Sequence, residues 1–239
     1  QMRWGRWAVL VGLRHDWVKA GTDSENLSVA GSATHTPQKD EATTWRAGLV
    51  YLFDNGLAPY ANYATSFDPV LGTDFNGAPF KPTKGKQYEV GVKYQPNGMK
   101  SFVQASLFDI TQTNVKTADP DPTHPWASVQ TGEVRSRGVE FEGSVNVTDN
   151  LAVLASYTRL NTKNTRSNTA EGKWPFGVPR QMASAWIDYS VAQGMLEGLG
   201  AGAGVRYVGS SFGNADNSLK VPGYTVIDAA LRYDLRRLD

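Results

Sequence analysis

The residues best suited to acid–base chemistry are the histidines His15, His35 and His124, since imidazole alone among unperturbed side chains titrates near neutrality. His35 precedes Asp40 by five positions, and His124 follows Asp119 and Asp121. An imidazole steadied by a carboxylate can take a proton from water, so either group has the residue types for hydrolysis at a loop rim. The setting argues against it. Both groups lie in polar, Pro-containing segments, and no Ser or Asp stands at a recognisable catalytic spacing. Metal ligation has no better support in the spacing of His and carboxylates. The chain has no cysteine, which excludes thiolate metal sites and disulfide staples. The simpler reading makes these groups loop anchors, and the chain is expected not to be an enzyme.

Bulk properties narrow the remaining choices. Across 239 residues, 24 Lys and Arg balance 23 Asp and Glu, and the basic residues are scattered singly instead of running together. Nucleic-acid binding therefore lacks its usual electrostatic footprint. No run approaches the roughly 20 apolar residues of a membrane helix, the longest candidates being "WAVLVGL" (7–13) and "LAVLASY" (151–157). A membrane strand needs only about 10 residues, and a mean hydropathy of −0.40 is compatible with a barrel whose inner face is polar. The start "QMRWGRW" has no signal-peptide organisation, which implies either a protein that is not exported or a segment of a longer one.

The elements that must position any site are strands. Apolar residues alternate at strand length again and again, while helical periodicity is nearly absent. The pattern predicts ten strands, at about 6–17, 41–53, 57–67, 86–95, 100–112, 129–146, 151–162, 180–191, 199–210 and 223–234. Their connections alternate strictly. "DNG" (54–56), "QPNG" (95–98), "TDN" (148–150) and "AQGMLEG" (192–198) read as tight turns in which Asn or Gly supplies a positive φ. Between them lie long polar segments, at 19–40, 68–85, 114–128, 163–179 and 211–222. Short turns at one rim and long loops at the other are the pattern of outer-membrane barrels.

Within strands the faces separate. Tyr88, Val90, Val92 and Tyr94 oppose Gln87, Glu89, Gly91 and Lys93; Trp45, Ala47, Leu49, Tyr51 and Phe53 oppose Thr44, Arg46, Gly48 and Val50. Aromatic residues such as Trp7, Trp45, Tyr88, Tyr94 and Tyr233 tend to end the apolar face, as rings do at the headgroup level of a membrane. "SLFDI" (106–110) and "EVRSRGVEF" (133–141) break the alternation, which suggests bulges at Gly138 or near Phe108. The pattern alone leaves two alternatives open. One is a soluble β-sandwich with an aromatic core and lectin-like binding loops. The other is a complete ten-stranded outer-membrane protease.

"YLFDNGLAPYANYATSFDP", "KPTKGKQYEVGVKYQP", "GEVRSRGVEFEGS", "VPRQMASAWIDYS" and "GVRYVGSSFGNADNSLKVPGYTVIDAALRYDL" cover most of the chain. In this order they resemble the carboxy-terminal half of TonB-dependent siderophore receptors, specifically those for ferrichrome and related iron-hydroxamates. The resemblance implies an all-β fold, an antiparallel transmembrane barrel of the 22-stranded type. Residues 1–239 are then a partial barrel domain, without the plug, the first strands and the last. It also implies a location in the outer membrane of a Gram-negative bacterium. The partners it implies are a ferric hydroxamate siderophore, outer-membrane lipid, and the TonB energy-coupling complex acting through the plug. No cofactor is expected, because a hydroxamate siderophore saturates its iron with its own oxygens.

Two residue sets follow from this resemblance. Arg46, Glu89, Lys93, Glu140, Glu142, Arg206, Asp228 and Arg232 are expected to line the lumen, where the family carries its plug; the alternative is the solvated face of a soluble sheet. Aromatic loop residues that could meet a siderophore are Phe75, Phe80, Trp126, Trp174, Phe176 and Phe212, with Lys81, Lys84 and Arg166 as polar companions. Each of these is also suited to anchoring its own loop.

Overall fold

The computed structural model describes residues 1–24, 31 and 34–234. One antiparallel sheet of eleven strands runs in sequence order through β1 (Met2–Trp4), β2 (Trp7–Ser24), β3 (Thr34–Tyr51), β4 (Leu57–Asp68), β5 (Thr83–Tyr94), β6 (Phe102–Ala118), β7 (Ser128–Thr148), β8 (Leu151–Arg166), β9 (Gln181–Ser190) and β10 (Leu199–Val208). A two-residue pair, β11 (Ser211–Phe212) and β12 (Lys220–Val221), stands apart, and β13 (Tyr224–Tyr233) closes the order beside β10. Every neighbour is the next strand of the sheet, so successive connections must fall at opposite ends. All the long loops therefore gather at one rim.

Several expectations are corrected. The sheet has an eleventh strand, because Trp4 pairs with Trp7 across a two-residue turn whose Gly5 has φ 57°. The segment 19–40 is mostly strand: β2 and β3 stay paired from Trp7↔Tyr51 out to Ser24↔Thr34. Backbone pairing does not depend on an apolar face, so a strand that continues into water loses its alternation while keeping its ladder. Residues 25–30, 32 and 33 of that segment lie outside the described residues. β5, β6 and β8 also run beyond their expected loop-side ends.

Gly138 and Phe108 form a regular pair and mark no bulge. Gly138 is there because a Cβ would lie 2.4 Å from the Phe108 ring. The actual register shifts flank Val115, and fall at Glu133/Val134 and Asn146/Thr148 against β8. The "TDN" turn works without a left-handed residue, since Asn114 and Asn217 are the only described non-Gly positions with positive φ; the shift at Asn146/Thr148 accompanies that turn. "DNG" does need its glycine. Gly56 has φ 86°, and a Cβ there would be 1.9 Å from the Gln95 carbonyl oxygen.

The sheet has no interior of its own. Among the described residues no large side chain is fully buried, and the buried apolar ones are Phe80, Ala170 and Trp174, all in loops. By contrast Leu13, Ile227 and Leu231 are 77–81% exposed. A sandwich of this size would hide such residues between two sheets. Here they share one continuous face that needs a nonaqueous solvent.

Candidate functional site: a polar face beneath a braced loop rim

Strand register assigns side chains to faces. Arg46, Glu89, Lys93, Glu140, Glu142, Arg206, Asp228 and Arg232 all fall on the face opposite Tyr88, Val90, Val92 and Tyr94. Lys93, Gln104, Glu142, Ser156, Ser184 and Arg206 stand in register as one unbroken row across six strands.

The polar face is organised by contacts that sequence reasoning missed. The Tyr60 hydroxyl donates to Glu89 Oε1 at 2.7 Å and accepts from Gln104 Nε2 at 2.9 Å, while Gln87 Nε2 donates to Glu89 Oε2 at 2.8 Å. Lys93 Nζ stands 5.6 Å from the centroid of the same tyrosine ring. This ring needs the space over Gly91, where a Cβ would be 2.7 Å from it. Farther along, Arg232 pairs with Asp188 and donates to Ser190 Oγ at 2.7 Å, and Arg206 Nε donates to Asp228 Oδ2 at 3.0 Å. Gly200, Gly202 and Gly204 make the floor for these groups. A Cβ at Gly200 would meet the Arg232 guanidinium at 2.6 Å, and one at Gly202 or Gly204 would meet the Trp186 ring at 2.3–2.4 Å. The signal that could have located Asp188 and Trp186 is the "GAGAG" run on β10, because a strand of alternating glycines implies large side chains leaning in from both neighbours.

A groove of about 740 Å³ lies on this face, between Glu142, Ser156, Ser184, Trp186, Arg206 and Asp228. Its lining carries both charges and an indole, so it can hold water or a polar surface against the wall. Exposed ion pairs of this kind contribute only about 0.2–1 kcal/mol each.

Above the polar face the loops brace one another. The Gln38 amide nitrogen lies 2.8–2.9 Å from Asp40 Oδ2 and from the Val70 and Phe80 carbonyl oxygens, fixing the 69–82 loop to β3. Gln130 holds the same loop from β7: its Oε1 accepts from the Lys81 amide at 2.6 Å and its Nε2 donates to the Asn114 carbonyl at 3.1 Å. The 167–180 loop and the β11–β12 segment are joined through Asn217, whose Oδ1 accepts from the Trp174 amide and whose Nδ2 donates to the Trp174 carbonyl, both at 2.8 Å. Arg180 stacks between the Trp174 and Phe212 rings, 5.0 and 5.6 Å from their centroids.

The six aromatic candidates divide. Phe80 (7% exposed) and Trp174 (8%) are buried in these braces, and Phe212 belongs to β11 instead of a loop. Phe75, Trp126 and Phe176 are exposed at the rim. Lys81 is engaged through its backbone, while Lys84 and Arg166 lie at the loop-side ends of β5 and β8. Of the histidine groups, His35 pairs with Asp23 at 2.6 Å and not with Asp40, since the long β2–β3 ladder places those two side by side. His124 does meet Asp119 (3.5 Å) and Asp121 (3.9 Å), and its ring stacks on Phe75. Both carboxylates are occupied as turn caps. Asp119 accepts from the Asp121 amide, and Asp121 accepts from the Thr123 amide and hydroxyl, which holds the Asp121 carboxyl below its ordinary range. Among the described residues no cluster of three or more His or carboxylate groups could hold a metal ion.

Comparison with known proteins agrees with this geometry. The family model described as TonB dependent receptor-like, beta-barrel, matches residues 1–239. The chain is 44% identical over 239 residues to the ferrichrome outer membrane transporter/phage receptor of Escherichia coli (strain K12), covering all of this chain and 31% of that protein. It is 40% identical to the ferrioxamine B receptor of Salmonella typhimurium, covering 98% of this chain and 32% of the relative. The siderophore receptor PiuA from Acinetobacter baumannii superposes with a TM-score of 0.81 at 24% identity, over 97% of this chain and 35% of that one. The chain spans about a third of the length of the relatives it matches. It belongs to the TonB-dependent receptor family, as part of an outer-membrane β-barrel.

Proposed function

We propose that this chain is barrel wall and loop rim of an outer-membrane transporter for a ferric hydroxamate siderophore, energised through TonB. The observation that carries the reading is the match to a ferrichrome transporter and a ferrioxamine B receptor at 44% and 40% identity along essentially the whole chain. In this reading the apolar face meets lipid and the polar face looks into the lumen. There Arg46, Glu89, Lys93, Glu140, Glu142, Arg206, Asp228 and Arg232 offer charge and water-binding groups to a plug. The braced rim offers Phe75, Trp126 and Phe176 to the siderophore, while Phe80, Trp174 and Phe212 hold the loops in place. Iron travels inside the siderophore, coordinated by the ligand's own oxygens, so the wall supplies no metal ligands and performs no bond-breaking step.

Radiolabelled iron uptake tests this in cells whose only siderophore receptor is the one carrying this segment. Uptake is expected from ferric hydroxamates, to require TonB, and to be absent with ferric catecholates. Uptake from catecholates alone, or uptake independent of TonB, contradicts the proposal.

A further inference from the structure

Charge is distributed unevenly around the polar face. On β3, β5 and β7, Arg46, Lys93, Glu140 and Glu142 have no ion-pair partner among the described residues. A protein surface packed against that sector finds charges to pair with. On β9, β10 and β13 the charges of the same face are Asp188, Arg206, Asp228 and Arg232, and they satisfy one another within the wall: Arg232 pairs with Asp188, and Arg206 with Asp228. A surface packed against this second sector finds no charge left over.

The second sector is also the one with room, since the groove of about 740 Å³ runs along it. Ser156 and Ser184 present hydroxyls there that bond to one another at 2.8 Å. Phe102 and Leu154 are exposed although they stand on the polar face, and the Trp186 indole shares the lining with them, packed over Gly202 and Gly204. The Arg206–Asp228 pair closes the far side. Glu142, at the border with the first sector, is the one lining charge without an ion-pair partner among the described residues. Arg206 adjoins Tyr207, where the apolar face of β10 ends on the loop side, so the groove lies toward the rim that Trp174, Arg180 and Phe212 brace.

We propose that this groove is an internal resting site for the ferric siderophore, and that cargo crosses the lumen along β8–β13 while the plug keeps its polar hold on β3–β7. The inference rests on the reading of the chain as wall of a ferric hydroxamate transporter, and adds to it the side of the barrel that the cargo uses. In a ferric hydroxamate the ligand anions balance the charge of the iron, and the outside of the complex is methylene and carbonyl. Lone charges are poor neighbours for such a molecule, because they would give up water and gain no counter-charge. A lining of hydroxyls, apolar side chains, an indole and a neutralised ion pair suits it, and sites for small ligands commonly occupy about 300–1,000 Å³.

The test uses cells whose only siderophore receptor is the one carrying this segment, offered a ferric hydroxamate that bears a photoreactive group and is still taken up. Irradiation during TonB-driven uptake is expected to leave adducts on peptides containing Ser156, Ser184 or Trp186, and none there in cells lacking TonB. In a second arm Ser184→Phe, which fills the groove, is expected to slow uptake by about tenfold, while surface binding in cells lacking TonB and heat-modifiable electrophoretic mobility stay those of wild type. Adducts confined to the rim, adducts on β3–β5 instead, or uptake by Ser184→Phe equal to wild type overturns the proposal. The cross-linking arm uses the wild-type receptor and so holds even if the variant fails to fold. Failure of the wild-type receptor to take up any ferric hydroxamate overturns the transport reading and this inference with it, a result distinct from uptake that bypasses the groove.

Discussion

The two faces of β5 are built from the same twelve residues and the same ladder, yet they solve different problems. Tyr88, Val90, Val92 and Tyr94 make no hydrogen-bonding demands beyond their phenol tips, and Tyr88 stands in a file of rings with Tyr63, 4.7 Å away centroid to centroid, and Trp45, 4.6 Å beyond Tyr63. Gln87, Glu89 and Lys93 instead converge on Tyr60 and Gln104. One face is specified by what it excludes and the other by what it connects. A charge added to the first has no partner and no water, whereas a charge added to the second finds both.

This contrast is broken most directly by moving a charge across the sheet. Leu49→Arg or Val92→Arg is expected to cost about 2–4 kcal/mol at mid-membrane and to abolish assembly, measured as loss of the heat-modifiable band from outer membranes. Asn62→Arg, on the polar face, is expected to assemble normally. If all three assemble alike, the faces are misassigned.

A smaller effect sharpens the account of the polar face. Gly202→Leu must displace the Trp186 ring, and overpacking of that kind costs about 1–3 kcal/mol. The thermal midpoint of the folded barrel is expected to fall and to recover in part when Trp186→Leu is added, since the conflict is with that ring alone. The smallest effect belongs to Asp188→Asn. It removes the charge facing Arg232 in a half-exposed pair, so a loss of no more than about 1 kcal/mol is expected, shrinking with added salt.

The fold was legible in the sequence where strands cross the apolar band, because there alternation is enforced by the solvent on one side. Tyr88 through Tyr94 and Trp45 through Phe53 are such places. It became illegible past the band. His35, Pro37 and Lys39 look like loop residues, yet they extend β3, because in water only the backbone ladder holds the strand. Phe108 looked like a defect in the pattern; on the polar face it fills the space over Gly138, a complementarity between strands that no single-strand periodicity carries. The braces at the rim were hidden for the same reason. Gln38 and Gln130 are unremarkable polar residues until the fold brings backbone groups some 32 to 49 positions away within reach. Asn217, with φ 63°, gave only the general signal of a turn former.

The most direct test of the two-faced wall uses the absence of cysteine from this chain. Single cysteines placed in turn at positions 87, 89, 90, 92 and 93 of the membrane-inserted receptor, leaving Gly91 whose space the Tyr60 ring fills, are challenged with a water-soluble maleimide and, separately, with a lipid-phase thiol reagent. Strict alternation is expected: Gln87→Cys, Glu89→Cys and Lys93→Cys react from water, and Val90→Cys and Val92→Cys react only from lipid. Uniform labelling by the water-soluble reagent along the strand, or alternation of the opposite phase, contradicts it.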